Sequence, residues 1–475
     1  MTDLPAALHA AVFAPAFALL LASRIGWEGR RLRFLVLAAA SATVAIAAAL
    51  FVTGTWFHGG DGPFRHVLWQ GPGNDALLRA DSLTLPLFPM AALIWLSGLA
   101  VAPARSYAPA SARRSALSFL AMALAFSTES PQFLAALIAI SSVLFLVEHR
   151  ETGRVVRVAG AYLALSGTLF LAGAALLWFG ETWEDAGLWC IVGGLLVRKG
   201  IAPVHSWMPE SFERGHLVPA LLFNAPQVGT YAAAVVVLPS ASGGALTVIA
   251  IAALATTVYG AILAVVESDT RRAFGYLFMS QSALVLVGLG SGREDGVAGS
   301  LAVWVAAGLS MTGLGLTIAA LELRRGRLSL RDHHGGYEQM PLLAASFLVF
   351  GLASVGFPGT LGFLGEELLI AGSVERFTWI GFAVVAATAV NGITVVKMYF
   401  SLFCGRADGG VALPLRVRET IAFASLAIVL VAGGLFPRNL VESRVEAAQA
   451  IVAASEGRPP GAVLAGATGH AAARR

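Results

Sequence analysis

Of the 32 basic residues in this 475-residue chain only Lys199 and Lys397 are lysine, and both lie inside apolar stretches. Arg198 adjoins the first lysine, and Glu366 and Glu367 follow Gly362-Phe363-Leu364-Gly365 in another apolar stretch. An ionisable side chain at mid-bilayer costs at least ~2.5 kcal/mol on insertion scales, so each is a functional candidate. Amines and carboxyls taken out of water exchange protons nearer neutral pH, whereas arginine keeps its charge. Lys199 and Glu366 are therefore the leading candidates for a proton relay, followed by Glu367 and by Arg198, about 100° from Lys199 on a helical wheel. His205 and His216 flank one end of the Lys199 stretch, where an imidazole can feed protons in. Lys397, in Val396-Lys397-Met398-Tyr399, reads equally as a relay group and as an anchor whose stem snorkels to the headgroups. Structural readings stand beside these: a lysine neutralised at a helix break, a glutamate solvated near the surface, a hydrogen-bonded histidine. Asn224, Gln227, Ser280, Gln281 and Asn391 are polar groups on otherwise apolar segments, suited to holding water or to interhelical hydrogen bonds.

These groups need a membrane around them, and the composition supplies it. The chain is 57% hydrophobic and 13% charged with mean hydropathy +0.76, about half the ~25% charged share of soluble domains. A soluble enzyme is excluded, because the apolar excess must face lipid. Cys190 and Cys404 have no CxxC or histidine-rich neighbour, so neither a disulfide nor a metal site is expected. The pI near 9.3 comes from arginines in short loops, which excludes a nucleic-acid surface and points to topology.

A spanning helix takes ~20 apolar residues, and the sequence divides into about fourteen such runs. They start near Leu4, Leu35, Ser82, Ala116, Pro131, Val156, Gly187, Leu217, Leu246, Ala273, Val297, Pro341, Thr378 and Glu419. The first run lacks a basic leader and a cleavage site and reads as a retained helix. Alternate connections carry the arginines, among them Arg30-Arg31, Arg113-Arg114, Arg271-Arg272 and Arg324-Arg325. By the positive-inside rule those loops are cytoplasmic and both termini lie outside, in a multi-pass protein of a bacterial inner membrane.

Two runs are interrupted. The seventh carries Arg198-Lys199-Gly200 and then Pro203; the twelfth carries Gly356-Phe357-Pro358-Gly359 and Gly362. Proline removes an intrahelical hydrogen bond, and backbone freed in a membrane is tolerated only inside protein or beside a wet cavity. Residues 1–114 then hold three helices, 115–240 and 241–405 two five-helix units of opposite orientation, and 406–475 the last span and a tail. Each break falls in the fourth helix of its unit, which is the pattern of inverted-repeat transporters. The tail from Arg438 reads as a short surface helix followed by disorder. The fold class is an all-α polytopic membrane protein with broken helices 7 and 12.

Three ordered motifs then carry a resemblance. Pro203-Val204-His205-Ser206-Trp207-Met208-Pro209 resembles the PxHxWLP segment of the antiporter-like subunits of respiratory complex I, Mrp antiporters and membrane-bound hydrogenases. Arg271-Arg272-Ala273-Phe274-Gly275-Tyr276-Leu277-Phe278-Met279-Ser280-Gln281 resembles their KRxLAYSTMSQ segment. Leu330-Arg331-Asp332 with Met340-Pro341, followed by Gly356-Phe357-Pro358-Gly359 and Gly362-Phe363-Leu364-Gly365-Glu366, is similar to the M-type complex I subunit. The resemblance spans about Arg79 to Gly405. It implies a fourteen-helix core with two inverted half-channels that moves protons or sodium ions without a bound cofactor, as a non-redox subunit of a larger oxidoreductase or transporter complex. Glu366 falls on the family's twelfth-helix relay position. The seventh-helix lysine falls on Arg198, one place from Lys199, and the fifth-helix glutamate has no counterpart in Leu137-Ile138-Ala139-Ile140-Ser141-Ser142. Ala139 to Arg150 also resembles the fifth helix of the membrane subunit of DAB inorganic-carbon accumulation complexes. The readings open at this point are an ion-translocating subunit, the membrane partner of a carbon-uptake complex, and a scaffold with a decayed channel.

Overall fold

The computed structural model describes residues 3–24, 29–56, 64–71, 76–241, 243–374, 378–405 and 414–456. Its first elements are α1 (Asp3–Ala22), α2 (Gly29–Trp56), the hairpin β1 (Arg65–Gln70) and β2 (Ala76–Asp81), and α3 (Leu87–Val101). Helices α4 (Pro109–Ala125), α5 (Pro131–Glu148), α6 (Gly153–Trp178), α7 (Glu184–Arg198) and α8 (Trp207–Arg214) follow. Next come α9 (Leu217–Asn224), α10 (Val228–Ala232) and α11 (Leu238–Ser240), with a π turn at Ala233–Val237 joining the last two. The chain continues through α12 (Gly243–Val266), α13 (Thr270–Leu289), α14 (Glu294–Arg325), α15 (Pro341–Ser354), α16 (Leu361–Val374), α17 (Thr378–Phe403), α18 (Val417–Leu435) and α19 (Arg438–Ser455). Among the described residues ten helical stretches are long and apolar enough to cross a membrane, and α3 and α15 are shorter apolar helices. The chain is a polytopic helical membrane protein.

Burial orders the helices into an inner and an outer set. The apolar window of α14 is 100% buried and that of α13 94%, against 28% for α1, α2 and α18. Those outer helices expose large apolar side chains such as Phe34, Leu21 and Ile428, as lipid-facing surfaces do. At the centre α14 lies against α16 at glycine contacts. A Cβ on Gly299 would stand 2.2 Å from the Leu369 amide nitrogen, and one on Gly372 2.1 Å from that of Gly296. Small residues replace the hydrophobic effect, which does not drive helices together in lipid, with close backbone packing.

The arginine-rich connections gather at one end. Arg33 and Arg418 lie over the Tyr107 ring at 5.3 and 5.6 Å, and Arg418 Nη1 donates to the Tyr107 hydroxyl at 2.7 Å. Arg324 pairs with the fully buried Glu419 at 2.5 Å, and Arg271 forks onto Glu322. At the opposite end the hairpin, unforeseen in the all-α reading, packs on the α4–α5 connection. Arg79 N donates to Ser127 O at 2.7 Å, Glu129 N to Ala76 O at 2.9 Å, and the Arg79 guanidinium pairs with Glu129. Strand alternation in Arg65–Gln70 is too short and too weakly patterned to stand out between long apolar runs.

The C-terminal helix corrects a second expectation. α19 is a docked element, not a surface helix, and its packing residues include Ala447, Ala448, Ile451 and the completely buried Arg444. The Arg444 guanidinium donates to the carbonyls of Ser82 and Leu83, and Ser443 Oγ donates to Ser82 O at 3.0 Å. These carbonyls lie in the turn before α3, so the charge is bound by backbone more than three hundred residues away in sequence, which no local pattern could show. Residues 457–475, for which disorder is expected, lie outside the described residues. α4 begins at Pro109, ahead of the unit boundary drawn at residue 114.

Replacing Arg444 with alanine removes charged hydrogen bonds and leaves two turn carbonyls bare, which costs about 2–3 kcal/mol. In detergent, thermal unfolding of Arg444→Ala is expected at a lower midpoint, with new protease cleavage in residues 438–455. An unchanged midpoint and an intact C-terminal segment would show that α19 is held by its apolar face alone.

Candidate functional site

The ionisable residues of the seventh span sit at an interrupted helix. α7 ends at Arg198, and Gly200 takes φ +63° directly after Lys199, the left-handed turn that closes many helices. Helix resumes at Trp207. Both cations therefore occupy the C-terminal end of α7, where the helix dipole favours positive charge. Two side chains satisfy the opened backbone: Trp207 Nε1 donates to Val197 O at 2.9 Å, and Thr256 Oγ1 accepts from Ala202 N at 3.0 Å.

From this point the two side chains diverge. Arg198, 5% exposed, reaches α5, where Nη1 donates to Ser142 Oγ at 3.0 Å and Nη2 to Ser141 Oγ at 3.3 Å. Its guanidinium lies 3.8 Å from the centre of the Phe223 ring. Lys199, 2% exposed, turns toward a third discontinuity that the sequence reading did not identify. α9 stops at Asn224, Pro226 follows, and Gln227 adopts φ 54° before α10 begins. Lys199 Nζ donates to Gln227 Oε1 at 2.5 Å and to Thr230 Oγ1 at 2.8 Å. Gly229 makes room for the lysine stem, since a Cβ there would lie 3.2 Å from Lys199 Cγ. Trp304 Nε1 on α14 donates to Pro226 O at 3.0 Å.

Polar groups extend from Lys199 toward Glu366 through α13 and α17. Ser282 Oγ donates to Gln227 Oε1 at 3.4 Å. Two residues earlier on α13, Ser280 Oγ donates to Thr257 O at 2.8 Å and accepts from Asn391 Nδ2 at 2.9 Å. Between the serines, Gln281 is 1% exposed and both its amide atoms lack a partner among the described residues, as does Asn391 Oδ1. Three residues before Asn391 on α17, hence on the same face, Thr388 Oγ1 lies 3.5 Å from Glu366 Oε2. Glu366 is 8% exposed in the second turn of α16. Its carboxylate fills the space above Gly356, whose φ is +64° and whose added Cβ would stand 2.7 Å from Oε2.

The other candidates lie away from this line. Glu367 is exposed on the outer face of α16. Lys397 Nζ donates to Val265 O at 2.7 Å and Glu267 O at 2.8 Å, so it caps the carbonyls at the end of α12, the placement the helix dipole favours. His205 packs edge-on to Tyr259 with ring centres 5.2 Å apart, and His216 stacks on the buried His149 at 5.5 Å. Asn224 bonds back to Ala220 O within its own helix at 2.9 Å. Sequence reading missed Thr230, Ser282 and Thr388. Hydroxyl residues are common in membrane helices, and only the Thr388–Asn391 spacing offered a signal.

A helical membrane protein with buried ionisable groups at interrupted helices is the class this geometry defines. Residues 161–391 match the family described as NADH:quinone oxidoreductase/Mrp antiporter, transmembrane, and this segment belongs to that family. NADH-quinone oxidoreductase subunit M of Pseudomonas aeruginosa is 27% identical over 257 residues, 52% of this chain and 50% of the relative. Subunit 13 of the Thermus thermophilus enzyme is 28% identical over 266 residues, 54% of this chain and 56% of the relative. The chain thus spans about half the length of the curated relatives it matches. Among solved structures, a chain of the Mrp complex from Dietzia sp. superposes with TM-score 0.84 at 17% identity, covering 95% of this chain and 98% of that one. A chain of Thermus thermophilus respiratory complex I gives 0.81 at 22%, covering 94% and 99%. The fold is thus the one seen in those complexes.

The Lys199 ammonium depends on Gln227 and Thr230. Removing only the acceptors in Gln227→Leu/Thr230→Val leaves a buried charge bare, whereas adding Lys199→Met removes the demand as well. The double variant is expected to be less stable than the triple by roughly 2 kcal/mol, measured as unfolding midpoints in detergent. A triple variant no more stable than the double would show that Lys199 does not need these acceptors.

Proposed function

We propose that this chain is an ion-translocating subunit of a larger membrane complex, that the ion is the proton, and that Lys199 and Glu366 are its exchangeable sites. The observation that carries the reading is the run of buried polar groups from Lys199 through Gln227, Ser282, Ser280 and Asn391 to Thr388 and Glu366. A proton needs closely spaced donors and acceptors shielded from bulk water, and the buried, unpartnered amide of Gln281, between the two serines in sequence, is suited to hold water for the step between them. Lys199 and Glu366 are the titratable groups at the two ends; Arg198 keeps its charge and biases Lys199 electrostatically.

Fourteen passes follow if the interrupted segments each count as one. The unit of residues 115–240 and that of 241–405 then run in opposite senses, with the Lys199 and Glu366 breaks in equivalent helices. The arginine-rich end is cytoplasmic by the positive-inside rule, which puts the hairpin, α19 and both termini outside. Partner subunits follow by analogy with the Mrp, complex I and archaeal sulfane sulfur reductase assemblies whose chains share the fold.

Co-reconstituted with its partner subunits in liposomes, Glu366→Gln and Lys199→Met are each expected to lower proton uptake roughly a hundredfold. Glu367→Gln is expected to pump at the wild-type rate. Wild-type uptake by Glu366→Gln would remove Glu366 from the path. Full assembly with wild-type uptake after neutralising Arg198, Lys199 and Glu366 together would establish the chain as a scaffold.

A further inference from the structure

The arginine-rich end holds a cavity that the proton path does not use. It has a volume of about 80 Å³ and lies between α4, α5 and α9, with Arg198 at its inner wall. That is room for several water-sized spheres, each needing ~10–15 Å³. Ser106, Ser111, Ser115, Ser118 and Ser141 also line it; Ser141 donates to Ile138 O at 2.8 Å and accepts from Arg198, so the hydroxyls of the other four are the donors that share this space with the guanidinium.

What the cavity lacks is a carboxylate for Arg198. Among the described residues no salt bridge includes this side chain; its polar contacts are the hydroxyls of Ser141 and Ser142. The one acidic residue on the cavity wall is Glu148, six residues further along α5, or about 9 Å toward the arginine-rich end. Glu148 is already engaged by Arg114. A second buried cation, Lys199, stands next to Arg198 and likewise has only neutral partners. An ion removed from water without a counter-charge costs several kcal/mol, and arginine does not escape that cost by losing its proton.

The cavity also has a charged approach. At the Arg114–Glu148 pair it meets a vestibule of about 670 Å³, and the two share the walls formed by Ser106, Ser111, Val218 and Pro219. Five arginines line that vestibule against three glutamates. Arg114 and Arg271 are paired with Glu148 and Glu322, which leaves a net excess of positive charge, and such an excess beside low-dielectric walls raises the local concentration of anions.

We propose that this blind cavity is a binding site for a small monovalent anion, of chloride or bicarbonate size, that neutralises Arg198 from the arginine-rich side. The anion accepts from the guanidinium and the serine hydroxyls and stands where an ion pair would otherwise need a carboxylate on α5. It also offsets the repulsion Arg198 exerts on Lys199. The site does not depend on proton exchange at Lys199 and is tested without it.

The test measures unfolding midpoints of the full chain in detergent at constant ionic strength, replacing sodium gluconate with sodium chloride or with sodium bicarbonate. Gluconate, a six-carbon polyhydroxy carboxylate, serves as the bulky reference anion. Wild type is expected to show a saturable rise of roughly 2 °C or more in at least one of the two salts, and the arm that responds at lower concentration identifies the anion. Arg198→Gln, which keeps a donor for the serines, is expected to lose the response. Ser142→Glu supplies an internal carboxylate, so it is expected to be insensitive to either salt and at least as stable in gluconate as wild type is in the stabilising salt. It remains informative if Arg198→Gln fails to fold. No saturable rise in wild type, or an equal rise in Ser142→Glu, overturns the proposal.

Discussion

Backbone opened inside an apolar layer must find partners within the protein, and the architecture around the ionisable residues follows from that constraint. At the first break the indole of Trp207 takes the Val197 carbonyl and the Thr256 hydroxyl takes the Ala202 amide. At the second, the indole of Trp304 takes the Pro226 carbonyl. Both tryptophans are fully buried. Trp207 bridges the two halves of its own interrupted helix and Trp304 reaches across from α14, each with a single donor to spend there. The third break, between α15 and α16, closes by local turns, with Phe357 N donating to Leu352 O at 3.1 Å and Thr360 N to Phe357 O at 3.1 Å. With those groups satisfied, the breaks can present Lys199, Gln227 and Glu366 inward without leaving backbone bare.

The central helices serve the same end. α14 packs on α16 through glycines and touches the α9–α10 break through Trp304, so one long buried helix indexes the Glu366 side against the Lys199 side. α13 and α17 fill the space between with Ser280, Ser282, Thr388 and Asn391. The electrostatics are uneven. Glu366 has a neutral hydroxyl beside it, Lys199 has an amide and a hydroxyl, and Arg198 has two serines and an aromatic face. No two of these groups form an ion pair. Charges held by neutral donors and acceptors stay responsive to proton loss or to a bound ion, whereas a closed ion pair would fix them.

Much of this was legible in the residues. Apolar run length, arginine placement and the motifs around Pro203, Arg271 and Gly356 pointed to a polytopic helical protein with a segment like this family's and to the positions of two interruptions. Lys199 and Glu366 stood out because charge is scarce in such segments. The α9–α10 interruption escaped because Ala225-Pro226-Gln227 carries one proline and no glycine, and proline alone is common in membrane helices. The hairpin and the docking of α19 escaped because their partners, at residues 76–83 and 127–129, are distant in sequence.

The sequence by itself determined which side chains would be charged in an apolar environment and where helices could not continue, because insertion cost and proline geometry are local properties. It did not determine direction. Arg198 and Lys199 are neighbours on one helix end, yet the first faces a serine-lined cavity and the second faces Gln227 and the central helices. Lys397, also set in an apolar stretch of sequence, is only partly buried and ends on the carbonyls of Val265 and Glu267 where α12 closes. Only tertiary packing separates these fates, because a buried charge takes its role from the dipoles within about 3 Å of it, and those dipoles come from other helices.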